Sequence, residues 1–247
     1  MTNNISGIDT DIRVNGQKLE SVTSFKYLGS VITDDGSRPE ILSRIAQTKA
    51  ALTRLKPVWN ERGISFSSKI QLMRSLVTSI FLYTCGSWTL TAELQRRVQA
   101  MEMRCYRKIL HISYKDHVTN KEVRVKIQQA TGPHEDLLTI AKRRKLQWYG
   151  HFSCSSGLAK IILQGTMKGR RRQGRQRKSW EDNIREWTGL EFSKSQRAAE
   201  NREKMEKTGC EIICGAPCND PRGYGIDDDD ALRAVSSFLM ENKALQK

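Results

Sequence analysis

Alternation opens the chain. In "DIRVNGQKLE", Ile12 and Val14 alternate with polar residues, Leu19 follows, and Asn15-Gly16 lies between them. Asn-Gly supplies the two positive-φ positions of a tight antiparallel turn, so this stretch predicts a β-hairpin. "SFKYLGSVITDDG" reads as a third extended segment, with Phe25, Tyr27 and Val31 on alternate positions. "TDDG" then supplies turn chemistry before a helix.

The period lengthens from there. Ser37 and Glu40 have capping-box spacing at the head of a helix with Ile41, Ile45, Leu52 and Leu55 on one side, and Pro57 stops it. "SFSSKIQLMRSLVTSIFLY" places Ile70, Met73, Val77, Ile80 and Phe81 at helical spacing, which predicts the most apolar and central helix. Thr91 opens a third, with Leu94, Val98, Met101, Cys105 and Ile109 inward and Arg96, Arg97, Arg104, Arg107 and Lys108 on or beside the outer faces. Thr119 to Glu122 is a second capping box, and its helix runs through Val123 and Ile127 to Gly132-Pro133. A fifth helix, Glu135 to Trp148, is expected to carry "KRRK" outside, Arg143 and Arg144 included. Trp180, Ile184 and Trp187 form one face of a short later helix, and "SQRAAENREKMEK" predicts a further polar one. The acids Asp227 to Asp230 precede "ALRAVSSFLM" as a helix start or a solvated tail.

Charge changes the picture more than composition does. Across 247 residues, 42 Lys and Arg against 27 Asp and Glu give a net charge of +15, which favours a polyanionic partner, nucleic acid first. "KGRRRQGRQRK", Lys168 to Lys178, holds seven basic residues, two glycines and no acid, so it reads as an exposed linker. Arg170, Arg171, Arg172, Arg175, Arg177 and Lys178 suit phosphate, because guanidinium donates in pairs to its oxygens. Nuclear import uses the same composition. No apolar run approaches the ~20 residues that cross a bilayer, and no signal-peptide pattern opens the chain, so a nuclear or cytoplasmic protein is expected, not a secreted or membrane one. Six dispersed cysteines predict reduced thiols rather than a disulfide framework.

Catalytic chemistry finds little support. Two-metal transfer needs carboxylates that hold cations about 4 Å apart. Asp34 and Asp35 stand in a turn without a partner acid, and "GYGIDDDD" lacks the strand pattern of a polymerase hairpin. Cys210, Cys214 and Cys218 offer three thiolates and no fourth zinc ligand, and buried or solvated thiols are the reading preferred over zinc. His111, His117 and His134 default to surface or capping roles. Nothing matches a phosphate-binding loop, a dinucleotide fingerprint or a zinc-protease helix. No cofactor and no metal is expected.

Taken in order, "VNGQKLESVTSFKYLGSVITDDG", "EILSRIAQTKAALTRL", "SKIQLMRSLVTSIFLYTCGSWTL", "MEMRCYRKILHISYKDHVTN", "RRKLQWYGHF" and "GRRRQGRQRKSWEDNI" resemble the C-terminal part of the endonuclease–reverse transcriptases of non-LTR (LINE-type) retrotransposons. The match departs at "GHFSCSSG", where that family carries an Arg-Met pair after Gly-His. The resemblance implies a primer-grip-like role for Phe25, Lys26, Tyr27, Leu28 and Gly29, and a thumb-like helical grip on template–primer phosphates. In that family the fingers and the palm with its catalytic aspartates precede this region, which implies a segment that is not an enzyme alone, with those domains as possible partners in trans. The expected fold is mainly α: a β-hairpin and primer-grip-like strand over residues 1–36, a thumb-like helical bundle over 37–164, a basic linker over 165–179, and short helices with an acidic C-terminus over 180–247. The expected partner is an RNA–DNA hybrid or duplex bound without sequence preference. The alternative is a non-catalytic nuclear adaptor whose basic run serves import.

Overall fold

The computed structural model describes residues 13–18, 22–33, 35–154 and 177–190. Two small antiparallel hairpins lead. β1 (Arg13–Val14) pairs with β2 (Gln17–Lys18), and Asn15 and Gly16 take φ of 51° and 80° between them. That is the turn Asn-Gly predicts. β3 (Ser24–Tyr27) pairs with β4 (Ser30–Thr33), Phe25 facing Ile32 and Lys26 facing Val31. The single extended segment expected here is thus a second hairpin. Its turn is Leu28-Gly29, at φ 46° and 82°, and a leucine meets a steric penalty there that glycine escapes.

The helices then build the mass of the fold. α1 (Arg38–Arg54) packs Ile41, Ile45 and Leu52 inward, and α2 (Lys56–Asn60) follows at once. Pro57 therefore both ends one helix and sits in the first turn of the next, where its missing N–H costs nothing. The Trp59 indole donates to the Leu52 carbonyl at 2.9 Å and folds α2 back on α1. The central apolar run is helical throughout but not uniform: α3 (Phe66–Leu72), a π-helical stretch (Met73–Thr78) and α4 (Ser79–Leu82) follow without a break. Met73, Val77, Phe81 and Leu82 are buried. A short 3-10 turn (Cys85–Ser87) leads to an extended piece through Leu90.

α5 (Ala92–Ile109) starts at Thr91, whose hydroxyl accepts from Leu94 N, and it buries all five residues expected inward. α6 (Asn120–Thr131) ends at Gly132, φ 76°. Its cap is half the box expected: Thr119 accepts from Glu122 N, and the hydroxyl itself donates to the Glu122 carboxylate. α7 (Leu137–Cys154) runs past Trp148, and α8 (Trp180–Thr188) opens with a full capping box between Ser179 and Asp182. One core unites α1 to α7, and Trp59, Phe81, Trp88, Val98 and Ile127 are fully buried in it. Cys85 and Cys105 are reduced, buried thiols, and burial pushes the Cys105 thiol up to about 12. Among the described residues no helix is long and apolar enough to cross a membrane.

Candidate nucleic-acid interface

The Leu28-Gly29 hairpin is held from beneath. Arg44, buried on α1, donates to the Gly29 carbonyl at 2.6 Å and to Glu40 at 2.7 Å, and lies 4.5 Å from the centre of the Tyr83 ring. The Tyr83 hydroxyl donates to the Leu28 carbonyl at 2.6 Å, and the Glu40 carboxylate accepts from Val31 N at 2.6 Å. These interactions consume the expected cap of α1. Ser37 accepts from Thr89 N instead of its own helix, and Glu40, turned toward β4, makes no box with it.

Above this support the hairpin exposes apolar surface. Phe25 (45%), Tyr27 (58%) and Ile32 (45%) share one face by register, and Leu28 (73%) stands at the tip. Lys26 lies exposed on the other face. Leu28 is doubly unfavourable, left-handed and in water. Strain and exposure kept together at a rigidly held tip point to a role beyond stability.

α5 supplies the charge. At 100° per residue, Arg96, Arg107, Arg104, Arg97 and Lys108 fall within a sector of about 120°, spread over about 18 Å of axis, and the buried residues occupy the rest of the circumference. Their availability differs. Arg96, Arg97, Arg104 and Lys108 are exposed, and Arg96 donates to the Ala92 carbonyl of its own helix at 3.3 Å. Arg97 pairs with Glu93, which Arg38 also reaches, and the two guanidinium groups hold the Glu93 carboxyl below its usual range. Arg107 donates to the Val118 carbonyl at 2.9 Å.

The "KRRK" stretch is not the outer face expected. Arg143 is half-buried and pairs with Glu135, and Arg144, also half-buried, donates to the Leu82 carbonyl at 3.5 Å. Lys145 is fully buried, because it shares a face with Leu138, Ala141 and Tyr149 at spacings of 7, 4 and 4. Its ammonium donates to the Trp88 carbonyl at 2.8 Å and to Asn183 Oδ1 at 3.0 Å, with the Trp180 ring centre 4.5 Å away. Burial first, then Lys178, pushes its pKa down to about 7. Asn183 pairs with both backbone groups of Leu90, accepting at 2.7 Å and donating at 2.8 Å, as a strand neighbour would. Trp180 donates to the Gly86 carbonyl and packs edge-on against Trp148. α8 is thereby fixed to α7 and the segment before α5. Charge alone gives no sign of Lys145 and Asn183 as a pair, although each falls on the apolar face of its helix.

Of the basic run, Arg177 and Lys178 are described: Arg177 comes within 3.9 Å of Asp35, and Lys178 pairs with Glu186. Arg170, Arg171, Arg172 and Arg175 lie outside the described residues, as do Cys210, Cys214, Cys218, the polar helix expected from Ser195 and the acids from Asp227.

A third cluster has no forerunner in the sequence pattern. Glu102 accepts from Leu137 N at 3.0 Å and from the Tyr106 hydroxyl, which also meets His134 Nε2 at 3.1 Å. Glu102 Oε2 and His134 Nδ1 have no hydrogen-bond partner. Burial raises the Glu102 pKa to about 7 and lowers that of His134. Glu102 thus caps α7 from α5, and His134 is neither the surface nor the capping residue expected. His117, at φ 48°, does end a 3-10 turn, and the exposed His111 meets the Trp59 carbonyl. Among the described residues no group of three or more His, Cys, Asp and Glu side chains could hold a metal ion. No protein-family model, no curated protein and no solved structure matches the chain.

Proposed function

We propose that the chain grips the phosphate backbone of a nucleic-acid duplex, in the manner of the thumb region that its sequence resembles in non-LTR retrotransposon reverse transcriptases, and does no phosphoryl-transfer chemistry of its own. The observation that carries this reading is the basic sector of α5, on which Arg96, Arg97, Arg104 and Lys108 are exposed, Arg97 sharing a surface ion pair with Glu93, while Arg107 is half-buried and bonded to the Val118 carbonyl. Interactions of this kind position a backbone and read no sequence. The net charge of +15 supplies long-range attraction, and the hairpin tip at Leu28 would meet the strand end. Arg143 and Arg144 contribute less to this reading than their sequence suggests, because both have internal partners.

The test is binding to an RNA–DNA hybrid and to a matched DNA duplex across a salt series. Wild type should bind both with a steep salt slope, and Arg96→Gln/Arg104→Gln/Lys108→Gln should lower the slope by about 2 to 3, near 0.9 for each phosphate that is no longer neutralised. Salt-independent binding, or none, would remove the proposal. It would favour the second reading, a non-catalytic adaptor docking a protein partner, which draws on the exposed Phe25, Tyr27, Leu28 and Ile32.

A further inference from the structure

Lys145 is the one fully buried lysine among the described residues, and none of their carboxylates forms an ion pair with it. Among the described residues, an ammonium in that position is held at close range by dipoles and ring faces: the Trp88 carbonyl, Asn183 Oδ1, Trp180 at 4.5 Å and Trp187 at 5.4 Å. Such partners offset only part of the lost hydration. Asn183, Trp180 and Trp187 all belong to α8, so three of the four groups around the ammonium leave with it if α8 undocks. Removing α8 would return the amine toward water.

We propose that α8 is a pH-sensitive latch, docked more tightly when Lys145 is neutral and released more readily when the amine takes a proton. The charged groups acting on Lys145 are Lys178, just before α8, which disfavours the ammonium, and Asp182, on its first turn, which favours it. Lys142, one turn earlier on α7, lies over the Trp187 ring at 5.3 Å and senses Glu186 and Lys178. The neutral amine still donates to both oxygens, so the latch keeps its geometry on either side of the transition and changes in strength. Its release frees Arg177 from its place beside Asp35.

The direction follows from linkage. A docked-state pKa of about 7 against 10.5 for the open lysine means that protons favour the open form throughout that window. Lowering the pH from 9.5 to 7.5 should raise the opening constant of α8 up to about 100-fold, and the dependence should flatten below about 7. Protection factors of the α8 amides, measured by hydrogen exchange on the full chain with intrinsic rates removed, read this directly. Lys145→Met should keep α8 docked and abolish the dependence. Titration of the Lys145 side-chain nitrogen in the unmodified protein is a second reading that needs no variant. A pKa above about 9.5 there, or α8 protection that is flat between pH 7.5 and 9.5, would overturn the proposal. The latch does not rest on nucleic-acid binding, so failure of the salt series would leave these measurements unaffected.

Discussion

Glu102 and Lys145 are both withdrawn from water without an ion-pair partner among the described residues, and they respond to pH in opposite senses. For Glu102 the folded pKa, about 7, lies above the ordinary 4.5, so the native state keeps a proton that the unfolded chain has lost. Its contribution is present below about 4.5 and fades as pH rises through 7, a loss of about 3 kcal/mol at 1.36 kcal/mol per unit. Lys145 acts the other way, its folded pKa being depressed: stability rises with pH between about 7 and 10.5. Urea denaturation from pH 5 to 10 should therefore find a stability minimum near neutrality. Glu102→Gln should flatten the acid-side limb and leave the alkaline one. At Leu28 the expectation concerns strain. Leu28→Asn suits the left-handed backbone better and removes exposed apolar surface, so thermal melting should report a gain of about 1 kcal/mol, accompanied by weaker nucleic-acid binding.

Among the elements, the β3–β4 hairpin and α8 are small pieces made rigid by buried polar side chains. Arg44→Ala would leave Glu40 buried without its cation and release the Gly29 carbonyl, at a cost of about 3–5 kcal/mol in urea denaturation. The amides of β3 and β4 should lose protection first. Asn183→Ala leaves both backbone groups of Leu90 unpaired in a buried site, and α8 protection should fall by about 2–4 kcal/mol while α1 to α7 keep theirs. The periodicity of α1, α5 and α6 was legible because each carries one continuous apolar stripe. The second hairpin was not, since Leu-Gly lacks the chemistry of Asn-Gly and only the Arg44 and Tyr83 hydrogen bonds hold a leucine in that turn. The cap expected from Ser37 and Glu40 failed because spacing cannot foresee that distant partners, Thr89 and Val31, compete for the same oxygens.

Across the molecule, the sequence indicated a basic, mainly helical chain with a strand element at its start, and the architecture agrees. What composition could not do was divide the cations by use. Arg104 and Lys108 face water, Arg124 and Arg143 close ion pairs, and Arg44 and Lys145 are part of the interior. A charge count treats all six alike, whereas burial in a shared core decides which of them can reach a polyanion. Position on the helical face would have separated some: Lys145 falls in line with Leu138 and Tyr149, and Arg104 falls about 100–120° away from Val98 and Cys105, off the apolar stripe.

The pairing of Asn183 with Leu90 also has a consequence for how the chain comes to be made. The two residues stand 93 positions apart, so during synthesis from the N-terminus everything through α7 has emerged before α8 is available. In that interval Lys145 lacks Asn183 and the Trp180 and Trp187 rings, and Tyr149 lacks Trp180, so the amine is expected to be more hydrated and charged than in the docked form. Docking of α8 is thus a proton-releasing event at neutral to alkaline pH. A chain that stops short of Ser179 should keep the helices from α1 to α7 and the open, solvated form of that seam.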